Sequence, residues 1–141
     1  MAIHDEQIGS ELTRRTIGCA IELHRRLGPG LLEWVYEVCL CDELAEAGLQ
    51  FARRKRFAVD YKRRRLEEAF QLDLIVERCV VLEIESVQAP YPIHEAQLRT
   101  YLRLSGHPIG LSLNFNVVRL KDGLRRIACP ALPSYTNRPN G

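Results

Sequence analysis

Phe70-Gln71-Leu72-Asp73-Leu74-Ile75-Val76-Glu77-Arg78-Cys79-Val80-Val81-Leu82-Glu83-Ile84-Glu85 is the stretch from which the fold can be read. Phe70 to Val76 has the length and β-branched content of a strand, and Val80 to Val87 reads as the next. The intervening Glu77-Arg78-Cys79 is short enough for a tight hairpin, so the two strands are expected to be antiparallel neighbours. Three carboxylates interrupt the apolar runs. Strand side chains alternate, so Glu83 and Glu85 share one face while Leu82 and Ile84 take the other. Closing the hairpin at Glu77-Arg78 brings Asp73 almost opposite Glu83.

Such a grouping is costly, because like charges raise one another's pKa and oppose burial. A divalent cation removes that cost, since Mg²⁺ and Mn²⁺ take hard oxygen ligands from a few carboxylates. A solvent-exposed face on a one-sided sheet removes it equally well. Spacing alone supports both readings.

Outward from the hairpin, the apolar period changes. Before it, Ser10 is placed to cap a helix running through Leu12, Ile17, Ala20, Ile21 and Leu23 to Leu27, where Gly28-Pro29-Gly30 must break it. A second helix is expected from Leu31 to Ala47, ended by a left-handed Gly48. Phe51, Phe57, Val59 and Tyr61 then recur at strand spacing. After the hairpin, Ala89-Pro90-Tyr91-Pro92 suits a helix entry, and that helix runs from Ile93 to Leu104. Strands follow at Ile109 to Phe115 and at Leu124 to Cys129. The order ααβββαββ predicts an α/β protein with a central mixed sheet flanked by helices. The expected organisation is an N-terminal extension over 1–9, one domain over 10–129, and a disordered Pro/Asn-rich tail over 130–141.

The bulk properties agree with one ordinary domain: 141 residues, 46% hydrophobic and 27% charged. No apolar run approaches the roughly 20 residues that span a bilayer, and the first residues lack a secretory pattern, so a cytoplasmic protein is expected. Five cysteines without a CxxC pair read as reduced, buried hydrophobes and not as a zinc site. Net charge is only +2, but Arg53-Arg54-Lys55-Arg56 and Lys62-Arg63-Arg64-Arg65 form two basic runs. They could follow a phosphate backbone or form the solvated face of an exposed hairpin.

Leu27-Gly28-Pro29-Gly30-Leu31-Leu32-Glu33-Trp34-Val35-Tyr36-Glu37 resembles the name-giving segment of the GxxExxY family, with Gly30, Glu33 and Tyr36 at the named positions. The resemblance continues through Asp73-Leu74-Ile75-Val76-Glu77, His94-Glu95-Ala96-Gln97-Leu98-Arg99-Thr100-Tyr101-Leu102 and Gly110-Leu111-Ser112-Leu113-Asn114-Phe115-Asn116. It covers about residues 12 to 128. That family is similar to PD-(D/E)XK nucleases of the RecB-like kind, which implies a restriction-endonuclease-like core and Mg²⁺- or Mn²⁺-dependent hydrolysis of DNA phosphodiesters. Carried over by position, Glu33, Asp73 and Glu83 are the implied metal ligands. Gln97 and Tyr101 fit the QxxxY element, which contacts nucleic acid or orients the site.

The resemblance fails at one point. Where the family's ExK motif has lysine, this chain reads Glu83-Ile84-Glu85. A cation becomes an anion where the transition state gains negative charge, and losing even one such donor costs about 10²–10³ in rate. Three consequences are open: Glu85 is a further ligand, one of Lys55, Lys62 and Lys121 reaches in from elsewhere, or the site is disabled. Three functions stay open: a weak metal-dependent nuclease, a non-catalytic nucleic-acid-binding protein on the same fold, and an interaction or homo-oligomerisation domain using Trp34 and the N-terminal helices.

Overall fold

A computed structural model describes residues 2–89 and 92–129, with side chains from Ser10 onward. Two helices come first, α1 (Ala2–Leu27) and α2 (Glu33–Glu46). Three strands follow: β1 (Phe51–Tyr61), β2 (Arg64–Val76) and β3 (Val80–Glu85). Helix α3 (Pro92–Ser105) crosses to β4 (Ile109–Asn114), and a 3-10 turn at Leu120–Gly123 leads into β5 (Leu124–Ala128). Helix α1 begins before Ser10, which lies inside it and not at its start. The tail expected at 130–141 and residues 90–91 of the Pro-rich connection lie outside the described residues.

The five strands pair in chain order. Only β3 and β4 are parallel, joined by the α3 crossover; the other pairs are antiparallel. The sheet is therefore mixed, with helices on both faces, as the element order predicts. On one face α1 and α2 bury Leu23, Tyr36, Leu40 and Leu44 against Leu74, Leu82, Leu111 and Leu113. On the other, Leu98 and Leu102 of α3 meet Leu72, Ile75, Val81 and Ile127. Gly110 permits this second contact: a Cβ there would lie 3.0 Å from a Leu102 methyl and 3.1 Å from Leu98.

The β2–β3 hairpin closes as expected. Glu77 and Arg78 both take positive φ (50° and 58°), and Cys79 N–H donates to the Val76 carbonyl at 2.9 Å. These are the features of the mirror-image turn that matches strand twist. Glu77 also fixes the entry to β1, since its backbone N–H donates to Gln50 O and its carboxylate accepts the Gln50 N–H. The second strand, however, starts six residues earlier than its apolar pattern predicts. Residues 64–69 are exposed and are held by backbone pairing to β1, from Tyr61↔Arg64 through Val59↔Leu66. A two-stranded ribbon standing clear of the core needs no apolar period, and residues 64–69 carry none.

Among the described residues no helix is long and apolar enough to cross a membrane. All five cysteines are free. Burial pushes the Cys19, Cys41 and Cys79 thiols up, but only Cys19 and Cys41 are fully buried as expected; Cys39, Cys79 and Cys129 are half-buried.

Candidate functional site

The candidate site forms where β2 and β3 part. Their last paired residues are Leu74 and Leu82. One step further, the Ile84 N–H is accepted by a carboxylate oxygen of Asp73 at 2.9 Å, not by a strand carbonyl. On its other edge β3 stays paired to β4, with Glu83 beside Ser112 and Glu85 beside Asn114. The backbone of Glu83 and Glu85 is thus anchored from one side and opened on the other.

Asp73 and Glu83 meet as the sequence spacing predicts. The Glu83 carboxyl is half-buried, and burial, a hydrogen bond with the Asp73 carboxyl and the Asp73 charge push its pKa up to about 10. A raised pKa favours the neutral form of Glu83, which is how like charges are tolerated when nothing else neutralises them. The other Glu83 oxygen, Oε1, is inaccessible to solvent and accepts no hydrogen bond among the described residues.

Glu85 follows on the same face. Its Oε1 accepts a long hydrogen bond from Ser112 Oγ at 3.4 Å, and its Oε2 lies 3.3 Å from His94 Nδ1. That oxygen is also buried. Asn114 fixes the strand exit just beyond: its amide accepts the Val87 N–H at 3.1 Å and donates to the Val87 carbonyl at 3.0 Å.

Helix α3 covers this group. His94 lies in its first turn, and Tyr101 two turns on, stacked on Phe70 with ring centroids 4.8 Å apart. Burial, and then the charges of Glu83 and Asp73, push the Tyr101 phenol up, which sets it facing the carboxylates. Gln97, one turn before Tyr101, is exposed.

Glu33 stands apart. It is the first residue of α2 and is exposed, and no hydrogen bond or ion pair links it to the other carboxylates among the described residues. Its helix nevertheless starts beside the site. The Tyr36 hydroxyl donates to Gly28 O at 2.6 Å and accepts from Leu31 N–H at 3.1 Å, and its ring stacks on Phe115 at 4.5 Å. Gly28 and Gly30 supply the left-handed turns, with φ of 72° and 98°. Ser86 Oγ then donates to Leu31 O at 2.6 Å, tying the start of α2 to the residue after Glu85. Gly30 and Tyr36 thus position Glu33, and neither is itself available for chemistry.

The structure brings together Asp73, Glu83, Glu85 and Tyr101, and leaves Glu33 and Gln97 at the margin. It adds His94, Ser112 and Asn114, which sequence reasoning did not single out. Ser112 and Asn114 were hidden because a parallel register cannot be read from one sequence. His94 had a signal, three residues before Gln97 in the same helix. The donors suit a hard cation: they are carboxylates, and two of their buried oxygens accept no hydrogen bond. No three His, Cys, Asp or Glu side chains among the described residues already converge on one point where an ion would sit.

The basic runs lie on the β1–β2 ribbon, and several of their charges are already met. Arg53 and Arg54 both reach Glu37 of α2, at 2.6 and 3.2 Å. Arg56 pairs with Glu68 at 3.4 Å, and Arg65 with Glu67 and Asp60 at 2.7 and 3.4 Å. Lys55 and Lys62 lie over the rings of Phe57 and Tyr61. Lys62 and Arg63 form the ribbon's tip, with Arg64 the first residue of β2.

Compared with known proteins, the chain matches one family model, described as the PD-(D/E)XK nuclease superfamily, over residues 10–127. No curated protein and no solved structure matches it.

Proposed function

Because the chain belongs to the PD-(D/E)XK nuclease superfamily, we propose that it is a nuclease-like protein whose Asp73–Glu83 pair holds a divalent cation against a nucleic-acid phosphate, with catalysis weakened by Glu85. The observation that carries this reading is the pair itself. Two carboxyl groups are hydrogen-bonded to each other at the open end of a hairpin, and one buried carboxylate oxygen is left without a hydrogen bond. A bound Mg²⁺ or Mn²⁺ would take the proton's place, lowering the pKa of a coordinated water and neutralising phosphate charge.

The chain's own groups have separable roles in that reading. Asp73 and Glu83 bind the cation. Tyr101, facing both, positions them or donates to a phosphate oxygen. Glu33 completes the site only if the start of α2 or its own side chain turns inward. The GxxExxY and RecB-like resemblance makes DNA the favoured substrate, with Lys62, Arg63 and Arg64 at the ribbon tip as candidate contacts for its backbone.

Glu85 supports a second reading, that of a non-catalytic nucleic-acid-binding protein. A carboxylate in the lysine position repels the charge that develops on the phosphate. The two readings part when purified protein and its Glu85→Lys variant are incubated with single- and double-stranded DNA in Mn²⁺. Cleavage by the variant at least about 10² times faster than by the wild type supports a nuclease weakened at one position. Absence of cleavage by both, with DNA still bound, supports the binding protein.

A further inference from the structure

A cavity of about 610 Å³ lies at the closed end of the β2–β3 hairpin, away from the carboxylates. Ala52 and Ile75, paired across β1 and β2, supply apolar lining. Three nitrogen-bearing side chains join them: Lys55 from β1, Arg78 from the hairpin turn and His107 from the exit of α3. The volume and the mix of apolar wall with a few polar groups are those of a small-molecule site. The polar groups are held in place. Gly106 and His107 N–H both donate to Leu102 O, at 2.9 and 3.1 Å, which closes α3. The His107 ring lies edge-on to Phe57 with centroids 6.0 Å apart, and its Nδ1 is 2.7 Å from Ser105 Oγ. Lys55 Nζ lies 5.4 Å from the centre of the same Phe57 ring. Burial, and then the Lys55 charge, hold the His107 imidazole below its ordinary value, so the lysine faces it.

Charge sets this cavity apart from the ribbon. Arg53, Arg54, Arg56 and Arg65 each reach a carboxylate, whereas neither Lys55 nor Arg78 forms an ion pair among the described residues. Arg78 also takes a positive φ of 58°, a position that such turns fill more readily with Asn or Gly. Its neighbour Glu77, which also lines the cavity, has an internal use for its side chain, since the carboxylate accepts the Gln50 N–H. Arg78 has no such use. We propose that the cavity is a second ligand site, independent of the carboxylates, which takes a phosphate monoester of nucleotide size. Lys55 and Arg78 meet the two charges of the monoester, the guanidinium through its forked N–H pair. Ala52 and Ile75 take the flat body of the ligand. One phosphate cannot serve both sites: Arg78 and Glu83 are separated by on the order of 15 Å of extended chain, and Leu98 and Leu102 of α3 pack on Val81 between them. A terminal phosphate of this kind is carried by a free nucleotide or by the end of a nucleic-acid strand.

The experiment is calorimetric titration of the intact protein with each of the four nucleoside 5′-monophosphates, and with the unphosphorylated nucleosides, in chelator so that no divalent cation bridges phosphate to the carboxylates. Lys55→Gln and Arg78→Gln are compared with Asp73→Ala and with Arg119→Gln, an equal loss of charge at an exposed position outside the cavity. Circular dichroism first shows each to be folded. Saturable binding of a monophosphate and not of its nucleoside is expected, weakened about 10-fold or more in Lys55→Gln and in Arg78→Gln and nearly unchanged in the other two. Binding of no monophosphate, equal binding of the nucleosides, or an equal loss in Arg119→Gln overturns the inference and leaves the metal site of the nuclease-like reading standing. Loss in Asp73→Ala alone also overturns it, because the phosphate then sits at the carboxylates. A terminally phosphorylated oligonucleotide beside its hydroxyl-ended form identifies the source. Binding that needs both the terminal phosphate and Arg78 supports the site with a strand end as its ligand, and binding of mononucleotide alone supports it with a free nucleotide.

Discussion

The β2–β3 hairpin and the β1–β2 ribbon are adjacent, share a strand, and manage charge in opposite ways. At the hairpin's open end, like charges are drawn together, half-buried, and kept tolerable by a retained proton. Along the ribbon, charges are exposed, and most arginines are met by a carboxylate of the same chain. A folded chain gains nothing from gathering carboxylates at a strand exit, so under the proposed function that grouping serves a ligand. The ribbon explains itself without one. Charge density in the sequence is thus a poor guide to function here, and unneutralised charge in the structure is a better one.

The largest effect should come from removing the acid common to every version of the site. Asp73→Ala is expected to lower Mn²⁺ affinity by at least about 10²-fold, since it deletes a ligand and leaves the Ile84 N–H without its acceptor. It should also abolish the thermal stabilisation that saturating Mn²⁺ gives the wild type. Melting curves with and without the cation measure both. An unchanged Mn²⁺ response would break the comparison at its root, because the acidic cluster would then be no more directed at a ligand than the ribbon is.

Next in size is the pH dependence that Glu83 imposes. In the unfolded chain this carboxyl ionises near its ordinary value of 4.5, while in the folded protein it holds its proton up to about 10. Between those values folding takes up a proton, so stability falls as pH rises. Glu83→Gln keeps the site neutral and should remove that decline. In the absence of divalent cations the variant should match the wild type near pH 5 and exceed it by a margin that widens as the pH rises towards 9. Urea unfolding at the two pH values measures the difference. A wild type with no such decline would show that the two acids are not held against each other.

How much of this was legible in the sequence follows from the same contrast. The hairpin was legible because its strands are buried on both faces and carry near-continuous apolar residues, so Asp73, Glu83 and Glu85 stand out against Leu, Ile and Val. The order of elements was legible for the same reason. The outer half of β2 was not, because its residues are exposed and carry no apolar period. Ser112 was not, because it reaches Glu85 from β4, across a parallel register that no local pattern encodes. Glu33 was named through its motif, yet the geometry shows that Gly30 and Tyr36 of that motif are spent on shaping the turn. A motif's letters can be fixed by packing as firmly as by chemistry.

A smaller effect separates the two ends of the ribbon. Glu37 is buried and receives both Arg53 and Arg54. Glu37→Ala should cost about 1–2 kcal/mol, mostly lost hydrogen bonds to charged groups and a small void. Arg53→Ala should cost less, since that side chain is itself largely exposed. Equal costs would show that the pairs are surface contacts of no consequence.

The smallest change, and the sharpest test of what the ribbon is for, concerns DNA affinity alone. If the tip follows a phosphate backbone, substituting Arg63 or Arg64 by alanine should leave stability within about 0.5 kcal/mol and reduce the salt dependence of DNA binding by about one unit of slope each. Arg53→Ala should change that slope far less, because its guanidinium is held by Glu37 at 2.6 Å and must give up that partner to reach a phosphate. Fluorescence anisotropy of a labelled duplex across a range of salt concentrations reads the slopes directly. If the Arg53 variant changes the slope as much as the tip variants do, the internal pairs are exchanged freely for phosphate, and the ribbon binds along its whole length. If none of the variants changes it, the ribbon is a solvated hairpin, and any nucleic acid must reach the carboxylates by another face.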